Sequence, residues 1–205
     1  MNLYLIRHGE TAHNRDGLGL GRADVPLTDY GQRQADAVVA RLAAEPPTRI
    51  LTSPLSRARV IAEALSAESG APLAVREELV ELDVGETEHL SFAEMGERFP
   101  DFLAEWRSAD PALISMPGGE SLADVAARLV PLVDELQAAP DDAGAVAVVS
   151  HNFVLRLLIC RLLGLEPAAF RGFATDLASV SKLALRRGQA TVEILNDCCH
   201  VPDDR

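Results

Sequence analysis

MNLYLIRHGETAHN, residues 1–14, sets an apolar run (Leu3, Tyr4, Leu5, Ile6) against an arginine, a histidine and a glycine. The run predicts a buried strand over 2–6. Arg7 and His8 then stand at its carboxyl end, and Gly9 suits a backbone that turns tightly beside a ligand. A second stretch repeats the arrangement. GAVAVV, 144–149, is a near-continuous apolar run, as expected of a strand buried on both faces, and Ser150-His151-Asn152 follows it. A third short run, 49–52, leads into Ser53-Pro54, with Arg57 just beyond.

Amphipathic stretches lie between these runs. Thr28 suits the cap of a helix over about 29–44, with Ala35, Val38, Val39 and Leu42 on one face and Pro46-Pro47 as its end. Ser53 suits a cap, and Pro54 a first turn, for a helix running to about 69 and stopped by Gly70. Residues 73–76 read as a short strand. Ser121 caps a helix expected through about 138, kinked at Pro131. An apolar helix follows Asn152 to about 163, and the runs 179–186 and 190–195 flank Arg187-Gly188-Gln189 as a hairpin.

This order predicts an α/β fold: a three-layer α/β/α sandwich with a mostly parallel central sheet and a C-terminal antiparallel hairpin. With 205 residues and no repeat or low-complexity tract, 1–205 reads as a single domain. The periodicity weakens between 77 and 119. Two short helices, near 91–98 and 100–108, and a Pro/Gly-rich loop predict a helical and loop insertion at about 83–119, suited to a lid or specificity region.

Hydrophobic residues are 48% and charged residues 24%, an ordinary globular balance. A net charge of −12 argues against nucleic acid, whose affinity comes largely from phosphate neutralisation, and against anionic membrane surfaces. No apolar run is long enough to span a bilayer, and the N-terminus lacks the features of a signal peptide. The expectation is a cytoplasmic protein. A few arginines can still build one positive pocket, because local field outweighs net charge within a Debye length of about 8 Å. Cys160, Cys198 and Cys199 read as reduced, structural thiols, and the adjacent pair is not a metal spacing. His8-x-Glu10 with His13 does not make HExxH, there is no CxxC, and His200 adjoins an acidic tail, 201–205. Neither a metal nor a cofactor is expected.

In an open α/β sheet, ligands bind beyond the carboxyl ends of the strands. One edge of the sheet should therefore collect Arg7, His8, Arg57 and His151. Two guanidiniums with backbone N–H groups at helix starts suit a dianionic phosphate. A histidine among them resists protonation, because like charge disfavours its cation, and neutral imidazole is nucleophilic.

LIRHGETAHN (5–14) resembles the signature of the histidine phosphatase superfamily, also called phosphoglycerate mutase-like. SPLSRARVIAE (53–63), ELVELDVGE (78–86), PGGES (117–121), VVSHNFVLRLL (148–158) and NDCCH (196–200) are similar to its later motifs, in the same order along nearly the whole chain. The resemblance implies that His8 takes the phosphoryl group and that water then hydrolyses the phosphohistidine. Arg7, Arg57 and His151 would hold the phosphate oxygens. Asn14 and the backbone near Gly21 would help bind it. Glu81 would serve as general acid/base, with Asp83 and Glu86 as alternatives in the acidic stretch 77–88.

Several positions depart from the family pattern. Asn152 stands where glycine is common. Asparagine tolerates left-handed backbone angles, and its side chain would narrow or repolarise the phosphate pocket. Leu20 before Gly21 leaves only backbone contact there. Thr87 and His89 replace tryptophan and glycine, and His89 reads either as a substrate contact or as an exposed loop residue. Arg15, Arg22 and Arg156 read as surface or outlying residues. The implied function is a phosphomonoesterase acting on a small soluble phosphate ester. Alternatives are a phosphoglycerate mutase using the same phosphohistidine, and a non-catalytic phosphate-binding protein. The 70 residues from Glu81 to His151 favour the phosphatase, because mutases of the family usually carry a longer segment there. An edge strand or exposed helix would let two copies pair as a homodimer.

Overall fold

The first apolar run is a central strand, between one parallel and one antiparallel neighbour, in the computed structural model, which describes residues 1–107 and 110–203. Ser108, at the end of the second expected short helix, and Asp204-Arg205 of the tail lie outside the described residues. Strand β1 (Asn2–Arg7) is followed by α1 (Ala12–Asp16), α2 (Asp29–Leu42), β2 (Arg49–Thr52), α3 (Ser56–Ser69) and β3 (Leu73–Val75). Then come α4 (Phe92–Arg98), α5 (Pro100–Trp106), α6 (Leu122–Arg128) and α7 (Val130–Ala138). Strand β4 (Ala145–Ser150), α8 (Asn152–Leu162), β5 (Val180–Arg186) and β6 (Gln189–Asp197) complete the order.

The six strands lie in the order β3-β2-β4-β1-β5-β6. The first four are mutually parallel; β5 runs antiparallel to β1, and β6 to β5. Alternation along each strand splits the core in two. Leu3, Leu5, Leu51, Val146 and Val148 face α6, α7 and α8, whereas Tyr4, Ile6, Ile50, Ala147 and Val149 face α2 and α3. Every strand position from Leu3 to Ile6 is buried, because helices cover both faces. This is the expected three-layer α/β architecture.

Three local expectations change. Ser53 does not cap α3. That helix starts at Ser56, whose N–H and hydroxyl both donate to Asp24 Oδ1, at 2.8 and 2.7 Å. Pro131 divides the expected long helix rather than kinking it. Its ring nitrogen cannot donate to the preceding turn, and α6 ends at Arg128 before α7 begins at Val130. Asn152 lies within α8 and does not adopt left-handed angles. Short elements without periodicity were not anticipated: α1, and 3-10 turns at Glu77–Leu79, Gly85–Thr87 and Pro167–Gly172.

Candidate active site

Strand register assembles the centre. Arg7 pairs with Ser150, and Thr52 with Val149, so His8, His151 and Ser53 emerge side by side where three parallel strands end. From β1 the chain leaves for α2 on one face, and from β4 for α8 on the other. The two histidines therefore flank a switch in winding direction, where open α/β sheets form a crevice. Their ring centroids are 5.1 Å apart.

The backbone of His8 is held from both sides. Its N–H donates to Ser150 O (3.1 Å) and its carbonyl accepts from Ala178 N–H (3.0 Å). Gly9 is required by a close approach: a Cβ there would lie 2.5 Å from Gly31 O. The His8 Nδ1 lies 2.7 Å from Gly9 O. A carbonyl only accepts, so Nδ1 carries the proton and Nε2 keeps its lone pair. Burial, then the charges of Arg7 and Arg57, hold the His8 pKa well below 6.5. His151 is depressed in the same way, by burial first and Arg57 next. Its Nε2 is 2.7 Å from Ser53 Oγ, which accepts the Leu55 N–H at 3.3 Å. Its Nδ1 is buried and has no partner.

Two buried donors likewise have no partner, Arg7 Nε and Arg57 Nε. Arg7 is anchored through Nη1 to Thr175 O (2.7 Å), and Arg57 through Nη1 to Ala23 O (2.7 Å) and Nη2 to Gly21 O (2.6 Å). Burial lowers both guanidinium pKa values, that of Arg7 to about 10, yet both stay cationic at neutral pH. Buried donors without acceptors are uncommon in folded proteins. Their concentration around His8 gives the site the chemistry of an anion cradle.

Gly21 does not offer its N–H to that cradle. Gly21 N–H donates to Glu88 Oε1 (2.6 Å), and Arg22 and Ala23 N–H donate to Glu88 Oε2 (3.0 and 3.1 Å). Glu88 thus clamps the 21–23 loop, and that loop aims Arg57 through its carbonyls.

Glu81 is buried beside both arginines. Its carboxyl accepts N–H from Leu82 (2.9 Å, Oε1) and Phe153 (3.3 Å, Oε2). Burial raises its pKa above 4.5 despite those bonds and the charges of Arg57 and Arg7. Its backbone is fixed by Arg128, which donates to Glu78, Val80 and Glu81 carbonyls. Asp83 is turned outward to Arg22, at 3.5 Å, and Glu86 is exposed. A carboxyl with a raised pKa is therefore packed against the cationic neighbours of His8.

Asn14 Oδ1 accepts from Thr11 N–H (3.1 Å) and its hydroxyl (2.9 Å), and Asn14 lines a cavity with Arg7. Asn152 Oδ1 accepts from Thr175 Oγ1 (2.9 Å), and Asn152 lines a cavity together with Arg7. His89 is exposed and pairs with His13, Nδ1 to Nε2 at 2.6 Å. Arg15 lies in an exposed pair with Asp16. Arg156, read as outlying, lines the same cavity as Arg7 and Asn152. Ser53, Thr175, Glu88 and Arg128 were also missed as supports. Each acts through a contact across the fold that no local motif signals. Among the described residues one trio has metal-ligand spacing: atoms of Asp197, Cys199 and His200 lie within 4.8 Å of one another, and it includes neither His8 nor His151.

A sequence profile of the histidine phosphatase superfamily (branch 1) matches residues 3–198. Phosphoserine phosphatase 1 of Hydrogenobacter thermophilus is 29% identical over 201 residues, covering 98% of this chain and 94% of its own. Adenosylcobalamin/alpha-ribazole phosphatase of Salmonella typhimurium is 32% identical over 200 residues, covering 96% of each chain. The solved structure of mycobacterial glucosyl-3-phosphoglycerate phosphatase complexed with VO3 gives a TM-score of 0.85 at 30% identity, covering 95% of this chain and 98% of that one.

Proposed function

The chain belongs to the histidine phosphatase superfamily, and from that premise we infer that it is a phosphomonoesterase that hydrolyses a small phosphate ester through a phosphohistidine on His8. The observation that carries this reading is the free Nε2 lone pair of His8 beside the unpartnered Nε–H groups of Arg7 and Arg57 and the unpartnered ring nitrogen Nδ1 of His151. The phosphoryl group sits against those donors, with Asn14 and Asn152 contributing amide N–H groups. Nε2 attacks phosphorus, a P–N bond forms, and the P–O bond to the alcohol breaks. Protonated Glu81 gives its proton to the departing oxygen. The Glu81 carboxylate then takes a proton from water as that water attacks phosphorus, the P–N bond breaks, and the lone pair returns to Nε2. The arginines and His151 stabilise charge on the transferring group at both steps, the main demand of phosphoryl transfer. Residues 83–119 serve in this reading as the insertion that shapes the leaving-group side.

The test is hydrolysis of p-nitrophenyl phosphate by wild type and His8→Ala, with protein quenched in alkaline detergent and assayed for base-stable, acid-labile phosphate. Wild type should turn over and trap label, and the variant should do neither. Equal activity in the two would overturn the mechanism. Incubation with phosphoglycerate separates the mutase, which would yield isomer rather than inorganic phosphate.

A further inference from the structure

Strand β6 runs into a tight turn that carries three metal-ligating side chains. Asn196 takes left-handed angles (φ 55°), and Val201 N–H donates to Cys198 O at 2.9 Å to close the turn 198–201. Asp197 Oδ1 accepts the Cys199 N–H at 2.9 Å, which holds the carboxylate at the start of that turn. One ligand atom each from Asp197, Cys199 and His200 lies within 4.8 Å of the other two.

The His200 ring is set as a ligand. Its Nε2 lies 2.9 Å from Ala178 O. A carbonyl only accepts, so Nε2 carries the proton and the lone pair of the neutral ring stays on Nδ1. That Nδ1 is buried and has no partner. Buried polar atoms are usually satisfied, and metal-bound histidines typically donate their other ring N–H to a carbonyl or carboxylate. Cys199 is exposed, so an ion can reach the cluster from solvent. Its thiol is hydrogen-bonded to the Asp197 carboxylate, which raises its pKa. That proton joins sulfur to oxygen where a cation would join them. Arg41, 3.5 Å from Asp197 Oδ2, offsets part of the negative charge that a thiolate adds.

Thiolate sulfur, imidazole nitrogen and carboxylate oxygen form a donor set that suits zinc rather than magnesium or calcium. Tetrahedral ligands at about 2.0–2.3 Å stand about 3.3–3.8 Å apart, so the trio closes with shifts of about 1.5 Å or less.

We propose that Asp197, Cys199 and His200 form a zinc site, with Nδ1 of His200 as the nitrogen ligand and water in the fourth position. On binding, the Cys199 thiol proton leaves to solvent, and Zn–S, Zn–N and Zn–O bonds form without a change in oxidation state. The site lies outside the phosphate-holding groups and does not depend on the reaction assigned to them. It adjoins them through Ala178, whose carbonyl accepts from His200 and whose N–H donates to His8 O at 3.0 Å. Cys198 also lines the cavity that Arg7 and Asn14 share.

Cobalt(II) is the probe, because it occupies zinc sites and reports a bound thiolate by a near-ultraviolet charge-transfer band. The full chain, stripped with a chelator, is titrated with cobalt and then with zinc. Wild type should bind one equivalent with that band and the visible bands of tetrahedral cobalt, and zinc should displace it. Cys199→Ser should lose the charge-transfer band. Asp197→Asn and His200→Gln should each weaken cobalt binding by at least about 10-fold. Cys198→Ser should keep the band, which separates the adjacent thiols, and so should His13→Gln, which separates the exposed His13–His89 pair. No band in wild type, a band kept by Cys199→Ser or lost in Cys198→Ser or His13→Gln, or wild-type affinity in Asp197→Asn and His200→Gln, would overturn the site.

Discussion

Glu81→Gln separates proton donation from the rest of the chemistry. The carboxyl accepts two backbone N–H groups, from Leu82 at 2.9 Å and Phe153 at 3.3 Å. An amide keeps its oxygen on Leu82 and sets its own NH2 against the Phe153 N–H. One hydrogen bond is lost with a donor opposed, a cost of about 1–3 kcal/mol that lowers stability but leaves the protein folded. Activity should fall unevenly. General acid catalysis contributes about 10²–10⁴-fold where the leaving oxygen needs a proton, or roughly 3–5 kcal/mol at 1.36 kcal/mol per tenfold. An alkyl alcohol needs it and p-nitrophenolate does not. The variant should therefore lose about 10²–10⁴-fold in kcat/KM on an alkyl phosphate and less than about 10-fold on p-nitrophenyl phosphate. The assay uses kcat/KM because it reports phosphoryl transfer to His8, whereas kcat can include the hydrolysis step common to both esters. The pH profile supplies a second reading. Burial raises the Glu81 pKa above 4.5, so the protonated fraction, and with it kcat/KM for alkyl esters, falls as pH rises through that raised value. Glu81→Gln should abolish this limb. Equal losses on the two esters, or an unchanged limb, would refute the assignment.

Other expectations follow from single contacts. In Gly9→Ala the new Cβ, held rigidly by its own backbone, would meet the Gly31 backbone carbonyl at 2.5 Å, and urea unfolding should show a loss of about 1–3 kcal/mol or more; unchanged stability would mean that the approach of α2 to β1 relaxes freely. Glu88→Gln removes a carboxylate that accepts three backbone N–H groups and loosens the loop whose carbonyls hold Arg57. Competitive inhibition by inorganic phosphate should weaken about 10-fold, the scale of one hydrogen bond, and an unchanged inhibition constant would remove Glu88 from the support of Arg57. Folding stability should decline as pH falls below 6.5. His8 and His151 have depressed folded pKa values, so the unfolded chain binds more protons in that window, at up to about 1.4 kcal/mol per pH unit for each histidine. Glu81, with its raised value, works in the opposite direction and offsets part of the slope. Urea midpoints at pH 7.5, about 6 and about 5 check this, and a midpoint that rises with acid would contradict the burial of two neutral imidazoles.

The site was legible where its chemistry sits at the end of an element. Arg7-His8 and His151 follow apolar runs buried on both faces, and a strand end fixes where the next side chain goes. Arg57 was legible because a short strand and a proline precede it, even though Ser53 turned out to hold His151 rather than to cap α3. Glu81 was chosen from a crowded acidic stretch by resemblance alone. What separates it from Asp83 and Glu86 is burial, which only packing against β4 and α8 provides. Gly21 was read as a phosphate contact because a local motif cannot show that Glu88, 67 residues away, already takes its N–H.

By itself the sequence determined the alternation of strands and helices, the hairpin at the C-terminus and the two strand ends that carry His8 and His151. Those follow from hydrophobic period and turn chemistry, which act over a few residues. The tertiary structure decided which nitrogen of His8 is free, which acid is buried enough to hold a proton, and that the His200 ring donates to Ala178 and keeps its other nitrogen free. Each of these depends on desolvation and on partners brought together across the sheet, and no window of sequence contains them.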